Sequence, residues 1–134
     1  DDIIKKYNVK TPSRNELMQN LSGGNQQKVV LGREIERGPK LLIAMHPARG
    51  LDIGATNFVQ QNIVEERDRG AAVLLVSTEL EEIQALSDRI AVMFEGEIMG
   101  IVPPDTPIHE ISMMMAGIHY EDIQKEKAAT ELNA

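Results

Sequence analysis

The 134-residue sequence has no cysteine and no tryptophan, and aromatic side chains make up 3% of it. Without thiols it forms neither disulfides nor thiolate metal sites, which fits a reducing compartment. Long hydrophobic runs are missing too. The longest, Leu41 to Met45 and Ala71 to Val76, fall far short of the roughly 20 apolar residues that a helix needs to cross a bilayer. The charged amino terminus is no signal peptide, and a start at Asp1 without methionine is what a processed or excised piece would show. Positive charge is scarce: 14 Lys and Arg against 21 Asp and Glu leave a net charge of −7, with no basic stripe for nucleic acid. Also absent is any G-x-x-x-x-G-K-[ST] loop, the usual grip on nucleotide α- and β-phosphates.

What is present suffices for one modest core, in one domain or part of one, since 42% of the side chains are hydrophobic. Helical and apolar stretches alternate, the pattern of an α/β layer. Asp1 to Tyr7 reads as the end of a helix and Asn8 to Asn20 as a polar connection. A helix is expected from about Gly24 to Arg37, with Leu31 and Ile35 on one face, stopped by Gly38-Pro39. Leu41 to Met45 is a continuous apolar run, expected to be a strand covered on both faces and ended by Pro47. Asp52 opens a helix to about Arg69 carrying Ala55, Val59 and Ile63, with Gly70 as its C′ residue. Ala72 to Val76 then completes a β-α-β unit over residues 41–76. Leu80, Ile83 and Leu86 mark a short helix. Ile90 to Phe94 and Glu97 to Val102 form a strand pair turning at Glu95-Gly96, Ile108 to Ala116 a further helix, and the residues beyond Tyr120 a frayed helix or disordered tail.

The richest stretch is Leu21-Ser22-Gly23-Gly24-Asn25-Gln26-Gln27-Lys28. A serine and two glycines opening a helix offer unpaired N–H groups, the positive end of the helix dipole, and close approach to the main chain. Lys28 is followed by Val29 inside the helix, so it cannot serve as a Walker lysine, and the stretch reads as half of a shared phosphate site. The plainer alternative makes Ser22 an N-cap and the glycines a tight turn. His109 and His119 lack partners at metal-ligand spacing, so no metal site is assigned. Met113-Met114-Met115 read as core fillers, and Glu65-Glu66, Glu79 and Glu81-Glu82 as solvated surface or helix-start charge.

The signature stretch, an apolar strand ending near a proline, Arg49-Gly50-Leu51-Asp52, a helix, a second strand and Leu86-Ser87-Asp88-Arg89-Ile90 follow in an order that resembles the carboxy-terminal part of an ABC transporter ATPase domain. The resemblance covers about Asn8 to Gly117. The Asn-Gln-Gln-Lys extension is similar to the second, C-terminal cassette of two-cassette importers. Arg49-Gly50-Leu51-Asp52-Ile53-Gly54-Ala55 and Glu79-Leu80-Glu81-Glu82-Ile83 look closest to simple-sugar and nucleoside subunits. It implies a partial P-loop NTPase-like α/β fold, with a mostly parallel sheet, flanking helices and a C-terminal strand pair. Residues 1–20 would end a helical subdomain, 21–117 would carry the signature, Walker B-like strand, D-loop and switch, and 118–134 would be a polar tail.

In that family two cassettes meet head to tail. The resemblance therefore implies that Ser22, Gly23 and Gly24 touch the γ-phosphate of ATP held by a partner cassette, with Gln26 nearby, and that Asp52 lies in the D-loop. Its own chemical positions depart from the pattern. Met45 and His46 stand where a Walker B aspartate and glutamate belong, and Thr78 where a switch histidine belongs. Their plainer roles are packing or surface for His46, a capping box of Thr78 with Glu81, and an N-cap for Asp52. The resemblance implies an ATP-hydrolysing import subunit at the cytoplasmic face of the cell membrane, using ATP and Mg²⁺ when assembled. Its partners would be another cassette, transmembrane permease subunits and, indirectly, a solute-binding protein, with no nucleic acid. This stretch alone is expected to be inactive and to bind neither cofactor. A free-standing regulatory or interaction module and a non-transport ATPase of the DNA-repair or chromosome type are the alternatives.

Overall fold

The computed structural model describes residues 1–132, which gather into two units, one of residues 1–78 and one of residues 79–132. The first holds α1 (Asp2–Lys6), a 3₁₀ turn (Met18–Asn20), α2 (Gly23–Ile35), β1 (Leu41–Met45), α3 (Ile53–Asp68) and β2 (Ala72–Val76). β1 and β2 pair in parallel, from Leu41 opposite Ala72 to Met45 opposite Val76, with α3 as the crossover. Gly38 and Gly70, at φ of +60° and +102°, lie just past the ends of α2 and α3.

Leu42 and Ala44 of β1 pack with Tyr7, Val9, Leu31, Ile35, Val59 and Ile63, so α1, α2 and α3 contribute to one core on one face of the strands. The opposite face is open: Leu41, Ile43 and Met45 are 54%, 60% and 67% exposed. Coverage on both faces, expected from the continuous apolar run, is therefore not what this unit provides. An apolar run locates a strand but cannot say whether both of its faces are covered by the same stretch of chain.

The second unit holds α4 (Leu80–Leu86), β3 (Ile90–Phe94), β4 (Glu97–Val102), α5 (Ile108–Met115) and α6 (Tyr120–Leu132). β3 and β4 pair antiparallel through Glu95-Gly96, both at positive φ, the conformation a tight two-residue hairpin demands. A register shift after Val92 marks a bulge, and Met99 beside it is buried. Ile90, Val92, Met99, Val102, Ile111, Met114 and Ile123 form the core. The Gln84 amide donates to the Pro104 and Thr106 carbonyls at 2.9 and 2.8 Å, tying α4 to the segment after β4.

From Tyr120 to Leu132 the chain is helical. Ile123 is buried, and Glu110 of α5 accepts from Gln124 and Lys127 at 3.0 and 3.1 Å, which compensates a carboxylate almost wholly removed from water. Of the consecutive Met113, Met114 and Met115, Met114 fills the core, Met113 packs at its margin and Met115 is exposed. Two acidic residues expected on the surface are buried instead. Glu66 accepts from Arg69 at 2.7 Å, and Glu82 keeps Oε1 without a hydrogen-bond partner among the described residues.

Candidate functional site

Ser22 has the extended backbone of an N-cap, at φ −61° and ψ 153°, yet its hydroxyl makes no cap bond to the helix. Asn25 Nδ2 instead donates to Ser22 Oγ at 2.9 Å, and the first α2 amide used is that of Gln26, which donates to the Ser22 carbonyl at 2.9 Å. The N–H groups of Gly23, Gly24 and Asn25 have no partner among the described residues. A Cβ at Gly23 would meet nothing within 4 Å, whereas one at Gly24 would lie 3.1 Å from Ala55 Cβ. Gly23 thus leaves room for a ligand, and Gly24 lets the first turn of α2 approach that of α3.

The rest of the stretch secures this helix start. Gln26 Nε2 donates to the Leu21 carbonyl at 2.9 Å, so that amide nitrogen is engaged with the loop. Lys28 donates to the Asn8 carbonyl at 3.1 Å and lies 4.7 Å from the Phe58 ring centroid, a cation–π contact. Asn25 Oδ1 accepts from the Lys10 N–H at 2.8 Å. Sequence reasoning missed Asn25; the available signal was a side-chain amide three residues past an N-cap serine, a spacing that brings the two side chains together.

Asp52 caps α3, its Oδ1 accepting from the Ala55 N–H at 2.9 Å. Met45 ends β1 on the open face. His46 follows at φ +46°, half-buried, its N–H donating to the Val76 carbonyl at 2.7 Å. Left-handed backbone costs a non-glycine residue about 1 kcal/mol or more, a strain met often near functional ends of strands. Thr78 is exposed two residues past β2, so Met45, His46 and Thr78 follow the carboxyl ends of two neighbouring parallel strands, where α/β sheets usually bind ligands. The expected capping box of Thr78 with Glu81 does not form. α4 begins at Leu80, which makes Glu79 the N-cap residue and puts Thr78 one position too early.

The donor sets decide which groups fit. Three free N–H groups, a serine hydroxyl and a glycine without a Cβ suit a phosphate at the start of α2, a 13-residue helix. The end of β1 does not suit Mg²⁺: Met45 offers a thioether and His46 an imidazole where a hard cation needs oxygen. No cluster of three or more His, Cys, Asp or Glu poised for a metal occurs among the described residues.

No protein-family model matches the chain. It is 55% identical over 116 residues to the guanosine import ATP-binding protein NupO of Bacillus subtilis (strain 168), covering 86% of this chain and 23% of that protein. The nucleoside import ATP-binding protein NupA of Lactococcus lactis subsp. cremoris (strain MG1363) is 44% identical over 117 residues, covering 87% and 23%. The ribose import ATP-binding protein RbsA of Clostridium tetani (strain Massachusetts / E88) is 40% identical over 116 residues, again covering 87% and 23%. The chain thus spans about a quarter of the length of these curated relatives. Among solved structures, a dimeric ATP-binding cassette in a post-hydrolysis state with ADP and Pi matches with a TM-score of 0.67 at 21% identity, over 79% of this chain and 46% of that one. A nucleotide-free cassette from an ABC transporter matches with a TM-score of 0.69 at 21% identity, over 84% and 44%.

Proposed function

This chain belongs to the ABC ATPase cassettes, as a stretch of one, and from that membership we propose that it supplies the signature motif in the second cassette of an importer for simple sugars or nucleosides. The observation that carries the reading is the start of α2, where three N–H groups and the Ser22 hydroxyl stand beside an open glycine. The substrate class rests on the guanosine, nucleoside and ribose named for the relatives.

In this proposal ATP is held by the Walker A loop of a partner cassette and supplies the phosphoryl group for hydrolysis. Ser22, Gly23 and Gly24 donate to its γ-phosphate, where negative charge is concentrated, from amides already oriented by the helix. The end of β1 takes part in a second, silent site, because neither Met45 nor His46 offers a carboxylate to hold a metal-bound water or to orient an attacking one. Asp52, by capping α3, fixes the turn between the two sites. Nucleotide binding closes the paired cassettes and hydrolysis in the competent site reopens them. Transmembrane permease subunits, with the cassettes docked at the cytoplasmic face of the membrane, convert that motion into uptake of a solute delivered by a binding protein.

The test is the coding sequence upstream of Asp1. A Walker A segment, preceded by a complete first cassette, is expected; a true start codon at Asp1 with nothing upstream would overturn the reading. The 134-residue chain alone is expected to show no ATP turnover, and robust turnover in proportion to its concentration would count against the silent site.

A further inference from the structure

We propose that Asn25 is a positioning residue that aims the Ser22 hydroxyl proton at the γ-phosphate; the inference rests on the reading of Ser22 given above. The orientation of the Asn25 amide is settled by its neighbour. The Lys10 backbone N–H can only donate, so the atom 2.8 Å from it is the carbonyl oxygen Oδ1, and the NH₂ group is turned toward Ser22 Oγ at 2.9 Å. Lys10 is itself held in place, since Lys28 of α2 donates to the Asn8 carbonyl two residues earlier.

Two consequences follow for the serine. Its oxygen accepts from Asn25, so its own proton points elsewhere, and it makes no cap bond with the helix. A hydroxyl that accepts from an amide is polarised into a better donor, and the complement of a bare O–H donor is an oxygen that only accepts, as on a phosphate. An ordinary N-cap serine takes up one of the first helix amides. Here the Asn25 side chain occupies the hydroxyl oxygen instead, and the Gly23 and Gly24 N–H groups remain available for the same anion. The directed chain runs from Lys10 N–H to Asn25 Oδ1, from Asn25 Nδ2–H to Ser22 Oγ, and from Ser22 O–H outward.

The experiment measures ATP and ADP affinities of the intact import subunit containing this chain, as wild type, Ser22→Ala, Asn25→Asp, Asn25→Ala, and the double variant Ser22→Ala/Asn25→Ala. Asn25→Asp keeps the acceptor for Lys10 but turns the donor facing Ser22 into an acceptor, which draws the serine proton inward. The expected result is a loss of about tenfold in the preference for ATP over ADP, the scale of one hydrogen bond to a charged group, with ADP affinity and melting temperature little changed. Asn25→Ala should lower the same preference in the wild-type background and add nothing once Ser22 is alanine. Equal losses for ATP and ADP, or a further loss in the Ser22→Ala background, would make Asn25 merely structural and overturn the proposal. A shift with Ser22→Ala but none with either Asn25 variant would overturn the relay alone. No shift with Ser22→Ala would overturn the reading of the signature itself, and the relay with it.

Discussion

At the scale of single residues, the carboxylate of Glu36 shows what a surface charge contributes when two donors converge on it. Lys6 Nζ and Tyr7 Oη both donate to Oε1, the latter at 2.8 Å, and together they hold the carboxyl below its ordinary value of 4.5. Burial, assisted by the same hydrogen bond, pushes the Tyr7 phenol far above its usual range. Because the Glu36 carboxyl is more acidic in the folded chain than in the unfolded one, its pairing stabilises the fold above pH 4.5 and is lost as pH falls through the depressed value. Glu36→Gln should therefore lower the melting temperature at pH 7 and flatten its decline below pH 4.5; parallel acid limbs for variant and wild type would refute the assignment. Such pairings are poorly legible in a sequence. Lys6 and Glu36 are 30 positions apart, and the burial of Glu66 and Glu82 could not be inferred from charge pattern, which reads every carboxylate as solvated. The Asp52 cap of α3 was legible because it depends on an amide only three positions away. The engagement of Gln26 with the Leu21 carbonyl depends on a rotamer that only the fold specifies.

At the scale of elements, α1 docks on α2 at a point where α2 has no side chain. A Cβ at Gly32 would lie 2.8 Å from Tyr7 Cδ2 and 3.0 Å from Ile3 Cγ2. Gly32→Ala sets two effects against each other: a helix-propensity gain of about 1 kcal/mol and an overpacking cost of about 1–3 kcal/mol. The ring of Tyr7 is fully buried and cannot swing aside, so the second effect should win, with a net loss of about 1 kcal/mol in urea unfolding. A rise in the unfolding midpoint would mean that α1 yields rather than clashes. Element limits were the most legible feature of this chain. Apolar runs bounded by Gly and Pro marked β1 to β4, and caps and glycines marked α2 and α3 to within two residues. What lay against each element was less legible. β1 carries the apolar run of a strand covered on both faces, but the covering side chains of this unit all come from α1 to α3 and their connections, on one side. α4 starts one residue later than its capping pattern indicates, because Glu79 keeps an extended backbone at φ −83° and ψ 99°.

At the scale of the whole molecule, the α/β class and the order parallel pair, then hairpin, were legible because strand type follows from connection length: a 16-residue helix between β1 and β2, and two residues between β3 and β4. A complete reacting centre was not legible, because the proposed chemistry draws the phosphate grip and the attacking-water carboxylate from elsewhere. The apolar interior is also divided. One buried cluster runs from Tyr7 to Ile63 and the other from Ile90 to Ile123, and they share no residue. Cooperativity in melting comes from shared burial, so a chain with two cores need not absorb its heat in one step. Met114→Ala, which empties a fully buried position of the second core at a cost of about 2–5 kcal/mol, should lower the melting temperature of the chain in scanning calorimetry, and an unchanged endotherm would mean that this core does not contribute to the transition. The second core, drawn from β3 to α5 and from α6, thus becomes a statement about heat: its share of the endotherm is set by how much apolar surface those seven side chains withdraw from water.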